Sequence, residues 1–364
     1  MAPDDFDRAL SLLAEEEGKK RAEGLRILRK LASSGDNEAR CALGHIYTNG
    51  DGVNRDPEEG ARWYRLAADD GDAEAQYRLG MMFEYGDGPD QDMDSAFYWY
   101  KKSAEQGHDG ALCMLGIFYE DAITVDRDMK KAEECYRKAG LMGNPDAQYF
   151  MGILKQYGGD GIEIDYCEAM EWYCRSAEKG DARAKCAIGY MYDIGAGVEK
   201  DPVKAAKWYN IAAKDGDPRA LCNLGYMLDN GIAMKQDREK AFELYLKAAL
   251  AGSEIGQFNV AEAYMNGTGT EQNYEEALKW YLCSANQGNL LAMSNLGYMY
   301  IQGLGTPVDL PKAIEWLTKG AGMGSEHCTH NLAILYENGI GVAKDPEKAK
   351  ELYAKAEELS EAGQ

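Results

Sequence analysis

Few side chains in this 364-residue chain have the type and spacing to do chemistry. Ser176-Ala-Glu-Lys179 sets a hydroxyl and an amine one helical turn apart, the S-x-x-K spacing in which a lysine assists a serine nucleophile in acyl transfer. The Ser-Asp-Asn and Lys-Thr-Gly partners of that chemistry are missing from the sequence. Ser176 also occupies a slot held elsewhere by Ala67, Ser103, Ala212 and Ser284, which reads as a small packing position. His327-Cys-Thr-His330 lacks the i, i+4 spacing of a helical zinc pair. Cys41, Cys113, Cys186 and Cys222 share one register position with Tyr77, Tyr149, Phe258, Ser294 and His330. Interchange with aromatics indicates semi-buried packing, and no cation is spaced to depress a thiol pKa. Loops such as Gly339-Ile-Gly341 follow helical patterns, not the strand a dinucleotide fingerprint needs. Asn49-Gly-Asp51-Gly lacks the carboxylate count of a calcium loop. No catalytic residue, metal or cofactor is expected.

Other residues suit recognition. Asn223, Asn259, Asn295 and Asn331 recur in consecutive C-terminal segments, and an amide that both donates and accepts matches the backbone of an extended peptide. Tyr190, Tyr226 and Tyr298 hold a second register position and offer amphipathic contact area. Glu84, Glu120, Asp193, Asp229 and Glu337 hold a third, a stripe that would attract Lys or Arg side chains. The alternative is that the amides tie one helix to the next and the carboxylates are solvated surface.

These positions are defined by a period of 36 residues. Gly44, Gly80, Gly116, Gly152, Gly189, Gly225 and Gly297 mark it, with Ala261 and Ala333 in the same slot and one extra residue in the loop Gly158-Gly159-Asp160-Gly161. A fixed period of this length marks stacked supersecondary units. In residues 37–72, Ala39, Leu43, Ile46 and Tyr47 have helical spacing, Asn49-Gly-Asp51-Gly turns the chain, and Asp56-Pro57 opens a second helix. The same punctuation places second helices after Asp92, Asp128, Asp165, Asp201, Asp237, Asn273, Asp309 and Asp345. A glycine in mid-helix costs about 1 kcal/mol relative to alanine. The expected compensation is close approach to a large ring 19 residues on, at Trp63, Trp99, Trp208, Trp280 and Trp316, with Trp172 at 20. Residues 1–36 read as a degenerate capping unit, 37–358 as nine repeats and 359–364 as a polar tail.

Composition narrows the partners. Forty basic residues against 62 acidic ones leave a net charge of −22, which repels phosphate backbones and anionic lipid. Neither nucleic acid nor membrane is expected as a partner. The opening Met-Ala-Pro-Asp-Asp-Phe has no basic or apolar region of a secretory signal. Nine cysteines without a pairing pattern suit free thiols in a reducing cytoplasm.

The pattern A-x-x-x-L-G-x-x-Y-x-x-G-x-G-V…D…W-Y-x-x-A-A-x-x-G, legible from Ala39, Leu43-Gly44 and Tyr47 through Trp63-Tyr64 to Gly71, resembles the Sel-one-like repeat family. That family is related to tetratricopeptide repeats. The resemblance implies an all-α fold: antiparallel helix hairpins in a right-handed superhelical solenoid, first helices lining the concave face. It implies a scaffold or adaptor role. Some members are described as binding β-lactams, which makes a hydrolase or small-ligand enzyme the alternative, and a structural spacer a third. Some secreted members bridge adjacent helices with a disulfide, but Ala68, Ala104, Gly140, Ala177, Ala213, Ala249, Ala285 and Ala321 stand at the bridging position here. The expectation is a non-catalytic cytoplasmic scaffold that holds a protein or peptide, with a basic peptide suited to the carboxylate stripe.

Overall fold

The computed structural model describes residues 4–15 and 18–362. Met1–Pro3, part of the segment read for a secretory signal, and the last two residues of the polar tail lie outside them. Twenty helices are present, and no β-strand occurs among the described residues. After α1 (Asp4–Ala14) and α2 (Gly18–Ser33), nine hairpins follow, from α3 (Asn37–Asn49) and α4 (Pro57–Asp69) to α19 (Glu326–Asn338) and α20 (Pro346–Ala362). Helix α20 runs through most of the segment read as a tail. The chain divides into two compact units, Met1–Asp181 and Ala182–Gln364. Within each unit every helix packs on its neighbours in sequence.

Local chemistry fixes the hairpin ends. The Asp56 side chain accepts from Glu59 N at 3.0 Å, and Asp72 accepts from Ala75 N at 2.8 Å, each occupying a donor that the first helical turn leaves open. Each of the other eight caps read for second helices also accepts from its helix's first-turn amides. One cap has an unexpected type: His108 Nδ1 accepts from Ala111 N at 3.2 Å while Nε2 meets Glu74 Oε2 at 2.9 Å. Most first helices end on a left-handed residue such as Gly50 (φ 80°), whose N–H returns to Ile46 O. The extra residue of the fourth repeat is absorbed by a bridge between Gly159 and Ile162.

The repeat glycine does meet a ring, but not the tryptophan. A Cβ built on Gly44 or Gly80 would lie 2.8 Å from the ring of Tyr64 or Tyr100, and on Gly189 or Gly225 2.7 Å from Tyr209 or Tyr245. The ring belongs to the residue after the tryptophan. One residue turns a helix by about 100°, so the tyrosine faces its own first helix and the tryptophan faces backward. A Cβ built on Gly140 of the preceding hairpin would lie 3.0 Å from the Trp172 ring. Trp63, Trp99 and Trp280 belong to clusters that include Leu28, Ala68 and Tyr245 of the hairpins before them. The tyrosine therefore sets spacing within a hairpin, and the tryptophan seals it to the preceding one. Alanine holds the slot at 261 and 333, both buried, whereas at the glycine repeats a Cβ would already crowd the ring. Gly80→Leu is expected to lower the unfolding free energy by about 1–3 kcal/mol through overpacking; an unchanged urea midpoint would contradict the contact.

Candidate functional site

Each second-helix tyrosine carries its hydroxyl toward the first-helix surface, where the residue four past the repeat glycine decides its fate. Tyr100 donates to Glu84, Tyr136 to Glu120 at 2.7 Å, Tyr173 to Gln156 at 2.7 Å and Tyr353 to Glu337 at 2.9 Å. Asp193 and Asp229 are one methylene shorter. Among the described residues Tyr209 Oη is buried without a hydrogen-bond partner, and nothing accepts from Tyr245. In the seventh repeat Met265 takes this position, and Glu262, one past Ala261, accepts from Tyr281 instead. The eighth repeat replaces the pair by Ile301 and Leu317, packed in one apolar cluster. Burial raises the phenol pKa of Tyr136 and of Tyr281, and the facing carboxylates raise both further, so each hydroxyl stays protonated as a donor.

The four asparagines differ in their surroundings. Asn295 Nδ2 donates to Glu262 at 2.7 Å and to Tyr281 Oη at 3.0 Å, and Asn331 Nδ2 donates to Ser294 Oγ at 3.0 Å. Asn223 contacts Cys186 Sγ at 4.0 Å and approaches the Tyr209 hydroxyl without completing a hydrogen bond. Three of the four thus reach back to the preceding repeat. Asn259 instead lines a cavity of about 300 Å³ with Tyr226, Asp229, Tyr245, Glu262 and Arg238. Arg238 Nε stands 3.4 Å from Asp229 Oδ1. This cavity lies between α13 (Pro218–Asn230), α14 (Arg238–Leu250) and α15 (Glu254–Asn266). Asn295 and Asn331 share a second cavity of about 370 Å³ with Ser294, His327 and His330.

Of the residues singled out by spacing, the structure brings together Tyr226, Asp229 and Asn259, and separately Asn295 and Asn331. Tyr190, Tyr226 and Tyr298 are 38%, 58% and 50% exposed. Tyr190 and Asp193 stand three residues apart on α11 (Ala182–Ile194). Glu84 and Glu120 belong to the other unit, where each already holds a tyrosine proton. Tyr245, Arg238 and Glu262 also line the Asn259 cavity, and register spacing alone does not single them out. The usable signal was the tyrosine itself, present in every repeat but the eighth, where Leu317 stands opposite Ile301.

The side chains that suggested catalysis have structural roles here. Ser176 is fully buried and its Oγ donates to Pro145 O at 2.9 Å. Ser103 and Ser284 do the same on Ala73 O at 2.6 Å and Glu254 O at 3.0 Å. Lys179 is exposed at the C-terminal end of its helix. Burial pushes the thiols of Cys222 and Cys41 up to about 11 and about 12, which keeps both protonated at neutral pH.

A family model described as Sel1 repeat matches nine segments: 37–72, 73–108, 110–144, 145–181, 182–217, 218–253, 255–289, 290–325 and 327–360. Among solved structures, a protective antigen present in uropathogenic Escherichia coli strains and displaying an SLR fold is 32% identical, with a TM-score of 0.67. The match covers 97% of this chain and 75% of that one. A Sel1 repeat protein from Oxalobacter formigenes is 30% identical, with 90% and 93% coverage and a TM-score of 0.63. Curated proteins give no significant match.

Arm length makes a testable statement about the surface. Asp229→Glu is expected to reach the Tyr245 hydroxyl and raise stability by about 1 kcal/mol, whereas Glu120→Asp should lose a similar amount. Urea unfolding of the two variants checks both signs, and a destabilised Asp229→Glu would contradict the reading.

Proposed function

This chain belongs to the Sel1-repeat family, and on that premise we propose that it is a non-catalytic scaffold holding a protein partner along its first-helix surface. Sel1 and tetratricopeptide-like repeat proteins are generally protein-interaction scaffolds. The observation that carries the reading is the cavity where Tyr226, Asp229 and Asn259 converge. It combines an exposed ring, the Asp229 carboxylate beside Arg238 and, among the described residues, an amide and a Tyr245 hydroxyl without internal partners. An extended peptide uses all of these: its backbone pairs with Asn259, its apolar side chains rest on Tyr226, and its Lys or Arg side chains meet Asp193 and Asp229. The net charge of −22 draws basic segments and disfavours nucleic acid and anionic membranes. No helix among the described residues is long and apolar enough to cross a membrane. Nine free cysteines, four of them buried, fit a reducing, cytoplasmic setting.

Selection from a random-peptide display library on the intact chain should enrich extended peptides carrying Lys or Arg. Their affinity should fall by about tenfold or more in an Asp193→Lys, Asp229→Lys double variant, and fall further with added salt. Peptides indifferent to that charge reversal, or no enrichment at all, would favour a structural spacer over a binding scaffold.

A further inference from the structure

The seventh repeat shows how a second-helix tyrosine is satisfied when the acid four past the repeat glycine is missing. The Glu262 carboxylate there accepts from the Tyr281 hydroxyl and from Asn295 Nδ2, which reaches across from the next first helix, α17 (Leu290–Gln302). The first repeat presents the same two donor positions without an acid. Tyr64 stands 20 residues past Gly44 as Tyr281 stands past Ala261. Arg78, on α5 (Ala73–Tyr85), stands two residues before the next repeat glycine as Asn295 does. The positions equivalent to Glu262 and Glu84 hold His45 and Thr48.

Tyr64 is 4% exposed, and among the described residues nothing accepts its hydroxyl proton. Thr48 Oγ1 is itself buried without a partner and lies toward Gly60. Burial raises the Tyr64 pKa and the Arg78 charge opposes that rise, which leaves a neutral hydroxyl close to a guanidinium. Both groups line a cavity of about 390 Å³ whose other walls include His45, Met81, Met82 and Tyr85. The acids nearby already have cations. Asp87, also on the wall, meets Arg55 Nη2 at 2.5 Å. Glu74 takes Arg78 Nε at 2.6 Å and His108 at 2.9 Å, and those hydrogen bonds, His108 first, hold its carboxyl at about 2. The Arg78 guanidinium carbon lies 5.8 Å from the centroid of the Tyr77 ring, and among the described residues nothing accepts from its terminal nitrogens, which remain for a guest. Asp51 stands 3.5 Å from His45 Nε2.

We propose that this cavity binds an external carboxylate carried on an apolar group. The Tyr64 hydroxyl and an Arg78 Nη donate to it as Tyr281 and Asn295 donate to Glu262, and Met81, Met82 and Tyr85 pack on the apolar part. Two charge-assisted hydrogen bonds offset the desolvation of the guest anion, and the volume suits a small ligand or one residue of a chain. The carboxylate comes either from a free organic acid or from the C-terminus of a peptide. This site lies in residues 1–181 and is independent of the peptide surface proposed above.

Calorimetric titration of the intact chain with phenylacetate and with N-acetyl-alanyl-phenylalanine, each beside its amide, tests the proposal. At least one acid should bind about tenfold or more tightly than its amide, and binding should weaken by about tenfold or more in Tyr64→Phe and in Arg78→Gln. The tighter acid identifies the source of the carboxylate. His45→Glu installs the seventh repeat's own acid at an exposed position; it should abolish acid binding and raise the melting temperature. Amides binding as well as acids, binding undiminished in His45→Glu, or no saturable binding by either acid would overturn the proposal.

Discussion

The contact between a buried tyrosine ring and the face of a residue that is nearly always glycine governs this molecule. Six of the nine repeat hairpins close on it, because a first helix with no side chain at that position lets the ring lie against its backbone. The glycine is a poor helix former, and it persists because the ring needs its space. Tyr100, Tyr136, Tyr173, Tyr209 and Tyr281 are among the largest fully buried side chains. A tryptophan beside most of these tyrosines points the other way and joins hairpins within a unit. Two adjacent residues on one helix thus divide the work of closing a repeat and stacking it.

A ring buried this deeply brings its hydroxyl to the edge of the packed layer, and that hydroxyl must be matched. The match varies from repeat to repeat, and the variation distributes open and closed surface. Where a Glu or Gln arm reaches the phenol, as at Glu120 and Gln156, the surface is closed by an internal hydrogen bond. Beside the shorter arms Asp229 and Thr48 a cavity stands next to the tyrosine. The seventh repeat uses Glu262 and Asn295 for the same end. Both proposed binding sites are therefore places where an otherwise regular array leaves one donor without its acceptor.

Much of the fold was legible because it is written as punctuation. The 36-residue glycine period, the Asp and Asn caps and the Gly-x-Gly turns act through their nearest neighbours, so a linear reading locates them. The aim of a side chain is a different matter. Trp63 and Tyr64 are adjacent, both aromatic and both partly apolar, and only the packed helix pair decides which one faces the glycine. His108 was missed as a cap because imidazole serves that role only with Glu74 holding its far nitrogen. The site was less legible for the same reason. Asn259 and Asn295 share a register position, yet the acid at 262 occupies Asn295 and leaves Asn259 facing a cavity. Repeat-to-repeat differences two helices away set that outcome, and no single period displays them.

The most direct measurement is a double-mutant cycle on Tyr136 and Glu120, followed by denaturant unfolding, with Tyr245→Phe measured alongside. The account predicts a coupling of about 1–2 kcal/mol between Tyr136→Phe and Glu120→Ala, and almost no cost for removing the Tyr245 hydroxyl. Additive effects in the cycle, or equal losses from Tyr136→Phe and Tyr245→Phe, would contradict it.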